Sequence, residues 1–557
     1  MEPLGGRFAP TLDIAFVAKP IAKPAGFSHW DSHVRLLLWL ATSVSIFSFL
    51  FYFRDGKVLL YGDAIAHMNI ARRVFDSKTP GLLQLGTVWL PLPHLLMTPF
   101  LVSDEMWRRG VGGSIPSMIA YVLGVVGIFR LIRGTLLRQG NPLAAQAAAW
   151  ITAMVYAANP NLLYMQTTAM GEAVYLAFFI WAVVYFAESL ESSERSLTKC
   201  GLCIAATCLT RYDGWFLAVA ASAAVGALAI FKAKYSKATA AKFILIAASA
   251  PLLWLAYNAI VYRNALEFAN GPYSAKAIER KTQTIGNPGH PGSGNLVLAT
   301  QYFVKSAVGN VANNPWLQRA WIPLLVIAIG TAITRRAQFN SGPLLLLLIP
   351  FPFYALSVAY GGVPIFVPEW WPFSHYNVRY GLQLLPALAV AAGCVVYFAY
   401  RAERWSARLR LGSIVIVLTL VAVSYVTIWQ AGPTTLAEAE INMRTRNLLE
   451  AQLGSWLKHL PPDSTLLMYL GDHVGAVQQA GIPLKRVINE GNHRMWRRPS
   501  DPDGLWERAL ANPSHYADYV IAFEGDDVFR AMQPLHLREL MELHVSGQAR
   551  AVVYRAR

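Results

Sequence analysis

Charged residues are scarce in this chain of 557 residues. Asp, Glu, Lys and Arg together make up 14% of it, whereas hydrophobic residues make up 55%. Soluble domains usually contain about 25% charged residues, so this composition excludes an ordinary soluble enzyme. The deficit is concentrated in long apolar runs. Such runs are typical of segments of about 20 residues that cross a membrane.

Cysteine is scarce as well, and none occurs after residue 430, so the C-terminal part contains no disulfide. The four cysteines are Cys200, Cys203, Cys208 and Cys394. Cys200 and Cys203 have the C-x-x-C spacing of redox and metal motifs. Three of the four lie in one apolar run, however, which favours small apolar residues of a membrane helix.

Negative charge is outweighed by positive charge, with a net charge of +16. Much of the excess lies in short loops between apolar runs, where the positive-inside rule and anionic headgroups account for it. No basic helix alternates with base-stacking aromatic residues, which argues against a nucleic-acid partner. Membrane lipids are the expected partners.

Eleven apolar segments predict eleven membrane spans. Clusters of Lys and Arg in alternate loops indicate a cytoplasmic N-terminus, and an odd number of spans then places the C-terminus outside. Residues 1–34 are predicted to be a cytoplasmic segment without a signal-peptide core. The membrane domain is predicted to cover residues 35–430. Its spans are 35–53, 114–132, 143–158, 173–188, 197–210, 214–231, 241–261, 319–334, 342–360, 380–400 and 411–430. The short pair 197–210 and 214–231 could instead be one broken re-entrant element, and an even number of spans would place the C-terminal part inside.

Two outer loops are long. In loop 54–113, a helix-like stretch at 63–76 and a Pro-broken stretch at 89–94 suit helices that lie on the membrane surface. Loop 262–318 is rich in Gly, Pro and Asn, and long loops of this kind are commonly functional or disordered.

The C-terminal part, residues 431–557, changes in character. An amphipathic helix is predicted at 434–460, followed by short apolar runs at 465–470, 487–489 and 519–523 that alternate with helical stretches. The predicted fold class is an α-helical polytopic membrane protein of about eleven spans with a small extracytoplasmic α/β soluble domain at its C-terminus.

Two acidic residues fall at the predicted outer surface. Asp63 precedes an apolar-periodic helix, so it suits both an N-cap and a general base. His67, four residues later, shares its helix face. Glu172 opens the fourth span, where a carboxylate complements the helix dipole. Ionisable groups at that depth also tend to be functional.

Several cations fall at the same outer level. Arg379 stands at the entrance of the tenth span, where it suits interface snorkelling or a phosphate clamp. Arg211 and Asp213 flank a break between two short spans, and an internal ion pair is the favoured interpretation. Lys276 and Arg280 in the second outer loop are further phosphate candidates, although a solvated loop explains each of them.

Four histidines, His67, His94, His290 and His375, occur in outer segments. Together they could bind a metal, but no pair has a diagnostic spacing. No metal ligand is therefore assigned, and a divalent metal cofactor is left open.

Four motifs, in this order, resemble the GT-C superfamily of membrane glycosyltransferases, in the branch of the protein O-mannosyltransferases and the lipid A aminoarabinose transferase. They are Tyr61-Gly-Asp63 in the first outer loop, Gln166-Thr-Thr-Ala-Met-Gly-Glu172, Leu209-Thr-Arg-Tyr-Asp-Gly-Trp215 and Asn377-Val-Arg-Tyr-Gly-Leu-Gln-Leu-Leu-Pro386. The resemblance covers roughly residues 35–430. Many relatives have Asp-Glu in the first loop, whereas Ala64 follows Asp63 here. Glu172 is then the first candidate for a second acid, and Asp104 and Glu105 are the next candidates.

This resemblance implies a reaction and a location. A sugar, mannose or a related one, would pass with inversion from a polyprenyl-phosphate carrier to a glycan, lipid or protein acceptor outside a bacterial cytoplasmic membrane. Asp63 would act as base or orient the acceptor, and Arg379 would bind the lipid phosphate. If a second catalytic acid is required, Glu172 is the candidate. The other residues expected to bind the lipid phosphate or sugar are Tyr380, His67, Arg211, Asp213 and Lys276.

A transporter or flippase of a lipid-linked sugar is the alternative, because broken spans and buried charges occur in transporters too. The position of the charges discriminates between the two. An enzyme should hold Asp63, Glu172 and Arg379 together near the outer face, and a transporter should hold them near the midplane. A non-catalytic scaffold with a sensing C-terminal domain would explain that domain but not the outer charges.

Overall fold

Long helices form most of the molecule. The computed structural model describes residues 31–137, 141–191, 194–282, 289–334, 342–402, 405–492 and 502–557. The predicted cytoplasmic segment 1–34 lies almost entirely outside these residues.

Within the described residues, eight segments are long and apolar enough to cross a membrane by length and composition. They are Ser32–Arg54, Val111–Leu137, Glu172–Ser189, Asp213–Phe231, Lys237–Tyr262, Gly342–Tyr360, Val378–Tyr400 and Ala407–Leu457. The last of these consists of the helices Ala407–Ala431 and Thr434–Leu457. The three other predicted spans are also helical, at Pro142–Ala157, Glu194–Cys208 and Pro315–Thr334.

The spans differ in how much of their apolar surface is covered. Val378–Tyr400 is mostly buried by neighbouring helices, whereas Ser32–Arg54 and Asp213–Phe231 expose most of theirs. Trp39 and Phe231 are examples of large side chains that point outward. Contiguous apolar surface of this extent is expected to face lipid.

Polar side chains mark the beginnings of several span helices. The Val34 N–H donates to the Asp31 carboxylate at 3.0 Å, and the Thr239 N–H donates to the Ser236 hydroxyl at the same distance. These contacts satisfy N–H groups that have no partner within the helix, and they fix where each span starts.

The two long loops contain short helices. Loop 54–113 forms the α-helices Gly62–Arg73, Leu92–Met97 and Asp104–Arg108 and the 3₁₀ turns Lys57–Leu59, Leu82–Leu85 and Phe100–Val102. Loop 262–318 forms the α-helices Glu267–Asn270, Ala275–Thr282 and Leu296–Gly309. A further short helix, Pro160–Met165, precedes the fourth span.

The C-terminal part begins with the helix Thr434–Leu457, here called the junction helix. A mixed sheet follows, with strands β1 (Leu466–Met468), β2 (Val487–Ile488), β3 (Tyr519–Phe523), β4 (Arg538–Leu543) and β5 (Ala551–Arg555). The strand order is β2-β1-β3-β5-β4, in which β1 pairs parallel with β2 and β3, and β5 pairs antiparallel with β3 and β4. Helices Leu470–Ala480, Leu505–Ala511, Pro513–Tyr516 and Asp527–Met532 connect the strands. The predicted fold class, an α-helical polytopic membrane protein with a small α/β domain at its C-terminus, is therefore confirmed.

The C-terminal part contacts loop 54–113 directly. Asn69 donates to Gln478 at 2.8 Å, and Gln478 in turn donates to the carbonyl of Trp107. The Asp76 carboxylate accepts from the backbone of Lys485 at 3.0 Å. These polar contacts hold the C-terminal part next to the helix Gly62–Arg73, which contains Asp63.

Candidate active site

The position of the Asp63 carboxylate depends on a close approach between its own helix and the junction helix. Asp63 lies in the first turn of the helix Gly62–Arg73. A Cβ on Gly62 would stand 3.1 Å from the Met443 Sδ and 3.2 Å from the Arg446 guanidinium. The absence of that Cβ lets the junction helix pack over the start of the first-loop helix. The Asp63 side chain is 42% exposed.

A short turn places the main cation. Arg379 and Tyr380 lie in a 3₁₀ turn, Val378–Leu384, that leads into the helix Leu385–Tyr400. Asn377 precedes this turn in the left-handed region, a conformation that Asn tolerates. The guanidinium of Arg379 lies 5.2 Å from the ring centres of both Tyr61 and Tyr380, within the range of cation–π attraction.

Three carboxylates surround the Arg379 guanidinium. Its Nη2 donates to Asp63 at 2.6 Å, its Nη1 donates to Glu438, and its Nε lies 3.3 Å from Glu172. Glu172 and Glu438 are each 1% exposed, in contrast to Asp63. Of the three carboxylates, only Asp63 can exchange readily with solvent or with a ligand.

A second guanidinium extends this network. Arg211 donates to Glu172 at 2.9 Å and to the Tyr354 hydroxyl at 2.8 Å, and its Nε lies 3.7 Å from Asp213. The Tyr354 hydroxyl donates to Asp213 at 3.1 Å. Glu172 thus contacts both arginines. Four carboxylates, those of residues 63, 172, 213 and 438, face two guanidiniums, a formal excess of two negative charges.

All of these groups except Glu438 line a cavity of about 170 Å³. Its polar lining comprises Asp63, His67, Glu172, Thr210, Arg211, Asp213, Ser357 and Arg379. Its aromatic lining comprises Trp89, Tyr212, Phe353, Tyr354 and Tyr380. Four buried polar atoms of the lining make no hydrogen bond within the described residues: Glu172 Oε2, Arg211 Nε, Asp213 Oδ1 and Arg379 Nε. Three of these atoms lie in the ion pairs described above, Arg379 Nε with Glu172 and Arg211 Nε with Asp213 Oδ1. Buried polar atoms of proteins are nearly always paired, so Glu172 Oε2 is suited to a donor group of a polar ligand.

Two of the four candidate histidines meet here. His67 Nδ1 lies 2.7 Å from His94 Nε2, and the His67 ring lies 4.6 Å from Trp89. Burial lowers the pKa of His67 to about 4 and that of His94 well below its usual value. His290 instead contacts Glu279 at 3.1 Å. In the part of the chain that the structure describes, no three His, Cys, Asp or Glu residues are grouped so that they could hold a metal ion.

The structure brings seven of the eight residues singled out from the sequence to this cavity: Asp63, Glu172, Arg379, Tyr380, His67, Arg211 and Asp213. Lys276 lies outside its lining and is exposed, near Gly362 at the edge of the site. Asp104 pairs with Arg72 instead, and Glu105 lies 3.1 Å from Arg108.

Sequence reasoning missed Glu438 and Tyr354. Glu438 lies on the junction helix, which the sequence assigned to the outer domain rather than to the site. The sequence does contain a signal for Glu438. This glutamate lies in the second helical turn after the last predicted span, which places it at the same predicted outer level as Glu172.

The Arg379 turn packs against a neighbouring helix at Gly381, where a Cβ would stand 2.5 Å from the backbone carbonyl of Ser306. We expect Gly381→Ala to cost roughly 1–3 kcal/mol of stability through overpacking and to weaken any function of Arg379. Thermal unfolding in detergent checks the first effect. Gly412→Ala is the matched control, because a Cβ there meets nothing within 4 Å. Equal stability of the two variants would contradict this packing.

Buried neutral histidines should make the protein acid-sensitive. Burial, and to a lesser extent Arg446, lowers the pKa of His473 to about 4. The unfolded state then binds a proton near pH 6.5 while the folded state does not, so stability falls as pH drops from about 6.5 towards 4. His473 alone contributes up to about 3 kcal/mol to this loss. His473→Phe should flatten the dependence of the melting temperature on pH, whereas His459→Phe, at an exposed position, should leave it unchanged.

No protein-family model and no curated protein sequence matches this chain. Solved structures resemble it. The crystal structure of ArnT from Cupriavidus metallidurans bound to undecaprenyl phosphate has a TM-score of 0.56 at 14% identity, covering 94% of this chain and 98% of that one. The apo state of the same ArnT has a TM-score of 0.52 with the same identity and coverage. At this identity the likeness concerns the fold alone, which this chain shares with ArnT over nearly the full length of both chains.

Proposed function

We propose that this chain is an inverting glycosyltransferase that takes a sugar, mannose or a related one, from a polyprenyl-phosphate carrier. The acceptor is a glycan, lipid or protein. The observation that carries the proposal is the half-exposed Asp63 carboxylate 2.6 Å from Arg379 in a polar cavity. A base and a phosphate-binding cation are thereby adjacent, as this reaction requires.

The transfer needs one base and one cation. The acceptor hydroxyl attacks the anomeric carbon while Asp63 takes its proton. The bond between that carbon and the phosphate oxygen breaks, and the electron pair goes to the phosphate. Arg379 stabilises the charge that develops there. A phosphate leaves without being protonated, so no second acid is needed, in contrast to glycoside hydrolysis.

Donor binding would free the base. In the structure, Asp63 occupies the Nη2 of Arg379, while Glu438 and Glu172 contact Nη1 and Nε. The buried pairs are costly to break, so the carrier phosphate replaces Asp63 at Nη2. Asp63 then turns to the acceptor hydroxyl. Its displacement also relieves the excess of negative charge next to the phosphate.

The remaining lining suits a sugar. Because His67 stays neutral at pH 7, its ring can accept from or donate to a hydroxyl without adding charge. Trp89 and Tyr380 present aromatic faces, and Arg211 lies 4.9 Å from the Tyr380 ring centre. Glu172 acts chiefly by orienting the two arginines. Lys276, exposed near the site, would meet the carrier phosphate as it approaches.

The position of the charges supports an enzyme over a transporter. Glu172 and Asp213 are the first residues of their span helices, and Arg379 is the second residue of its span. The charged groups therefore gather at span ends. A transporter site would sit near the bilayer midplane.

The chemical nature of the carrier and the orientation in the membrane are also part of the proposal. The ArnT structure of similar fold holds undecaprenyl phosphate, which supports a polyprenyl phosphate here. We place the cavity and the C-terminal domain, residues 431–557, outside a bacterial cytoplasmic membrane, because the cationic loops belong inside. Nucleotide sugars are not supplied there, so the donor has to be lipid-linked. No divalent metal enters these steps.

A donor panel tests the proposal. Purified protein in detergent is incubated with radiolabelled polyprenyl-phosphate mannose and other lipid-linked sugars, together with glycan, lipid and protein fractions of a cell envelope. We expect label from one donor to appear in one fraction, with the opposite anomeric configuration. Label retained on the carrier with every donor, or product of retained configuration, would contradict the proposal.

A further inference from the structure

The carboxylate that contacts Arg379 at two points comes from the C-terminal part of the chain. Glu438 lies on the junction helix, one turn after its start. One of its oxygens accepts from Nη1 of Arg379, and the other accepts from the Arg379 backbone N–H at 3.2 Å. Its side chain is 1% exposed. This contact fixes both the backbone and the guanidinium of Arg379.

The geometry gives Glu438 two effects on Arg379. By holding Nη1 and the backbone, it leaves Nη2 directed at Asp63 and the cavity. Its charge also lies close to any anion bound at Nη2, and Glu438 itself is buried away from water. A like charge at that distance weakens anion binding substantially.

We propose that Glu438 is a positioning residue that orients Arg379 and weakens its hold on the carrier phosphate. This inference rests on the proposed function. The donor and the spent carrier present the same kind of phosphate to Arg379. Without the negative charge of Glu438, Arg379 would hold the spent carrier and slow its release. Binding energy that is the same for the donor and for the spent carrier does not speed turnover.

The junction helix also contacts the first loop next to the base. Met443 and Arg446 lie against Gly62, and Arg446 donates to the buried Glu450 at 2.9 Å. Further along, the junction helix packs on the helix Leu470–Ala480, where Gly454 approaches the Ala476 carbonyl. Glu438 therefore reaches Arg379 from an element held by two neighbouring parts of the chain, which suits a positioning role.

Glu438→Gln tests the proposal, because the amide keeps an oxygen that can accept from Nη1 while the charge is removed. Undecaprenyl phosphate is titrated onto detergent-purified protein, and kcat and KM are measured with the donor found in the panel. We expect the carrier to bind about tenfold more tightly and kcat to fall with it. Glu440→Gln is the matched control on the same helix, since Glu440 contacts Lys57 at 3.4 Å instead. It should bind the carrier as the wild type does.

Failure of this inference and failure of the proposed function would give different results. If the wild type binds the carrier and Glu438→Gln binds it equally or more weakly at an unchanged melting temperature, the inference is overturned and the proposed function stands. If neither the wild type nor any variant binds the carrier, the proposed function itself fails. Should Glu438→Gln not fold, Glu438→Asp supplies the second test. It keeps the charge but cannot reach both contacts, so carrier affinity should stay and kcat should fall; an unchanged kcat overturns the inference.

Discussion

Asp63→Asn should lower the rate of sugar transfer by roughly 10²–10⁴-fold, the contribution expected of a general base. Asn has nearly the same shape but does not accept the proton of the acceptor hydroxyl. The carrier should bind at least as tightly as before, because the variant removes a negative charge 2.6 Å from the Arg379 Nη2. Initial rates and undecaprenyl-phosphate binding, measured on the same preparation, check both effects.

Two further variants show whether the loss of activity in Asp63→Asn comes from removing the base. Asp55→Asn removes an exposed carboxylate of the same loop that lies outside the cavity lining, and it should leave the rate unchanged. Asp63→Glu keeps a base at a different reach, and it should retain part of the activity. Full activity in Asp63→Asn would show that this carboxylate does not take the proton.

Arg379→Ala should abolish carrier binding and also destabilise the protein. The substitution removes the cation proposed to bind the phosphate, and it leaves the buried Glu438 without its partner. Breaking a buried pair in this way costs about 3–5 kcal/mol. A fall in melting temperature together with a loss of undecaprenyl-phosphate binding is the expected result.

A double variant separates these two losses. Arg379→Met combined with Glu438→Gln removes both charges, and paired removal of buried charges is often neutral for stability. The double variant should therefore recover much of the melting temperature and none of the carrier binding. Arg379→Lys keeps the charge but loses the planar fork that contacts three carboxylates, so it should bind the carrier weakly. Carrier binding by the double variant would contradict the role of Arg379.

The membrane fold could be predicted because its signal is local. Each span is a run of apolar residues, and each of the eleven predicted spans corresponds to a helix in the structure. Strands β1, β2 and β3 were similarly marked by short apolar runs. Strands β4 and β5 were not predicted. β4 is largely exposed along Arg538–Leu543 and has no continuous apolar run to mark it.

The site was predictable only in part, because its contacts are not local. Asp63, Glu172 and Arg379 were singled out by their positions at the outer ends of predicted spans. That Arg379 would contact both Asp63 and Glu438 could not be read from the sequence, since one lies 316 positions away and the other 59. Which carboxylate stays exposed depends on how the junction helix packs, and no local pattern encodes that packing.

Cleavage of the carrier bond is the most direct test of the central claim. Wild-type protein in vesicles is given a lipid-linked sugar with label on both the sugar and the phosphate, with and without the acceptor fraction. The account predicts that free polyprenyl phosphate appears only with the acceptor and does not appear with Asp63→Asn. Intact donor that crosses the bilayer without cleavage, equally in both proteins, would contradict it and identify a flippase.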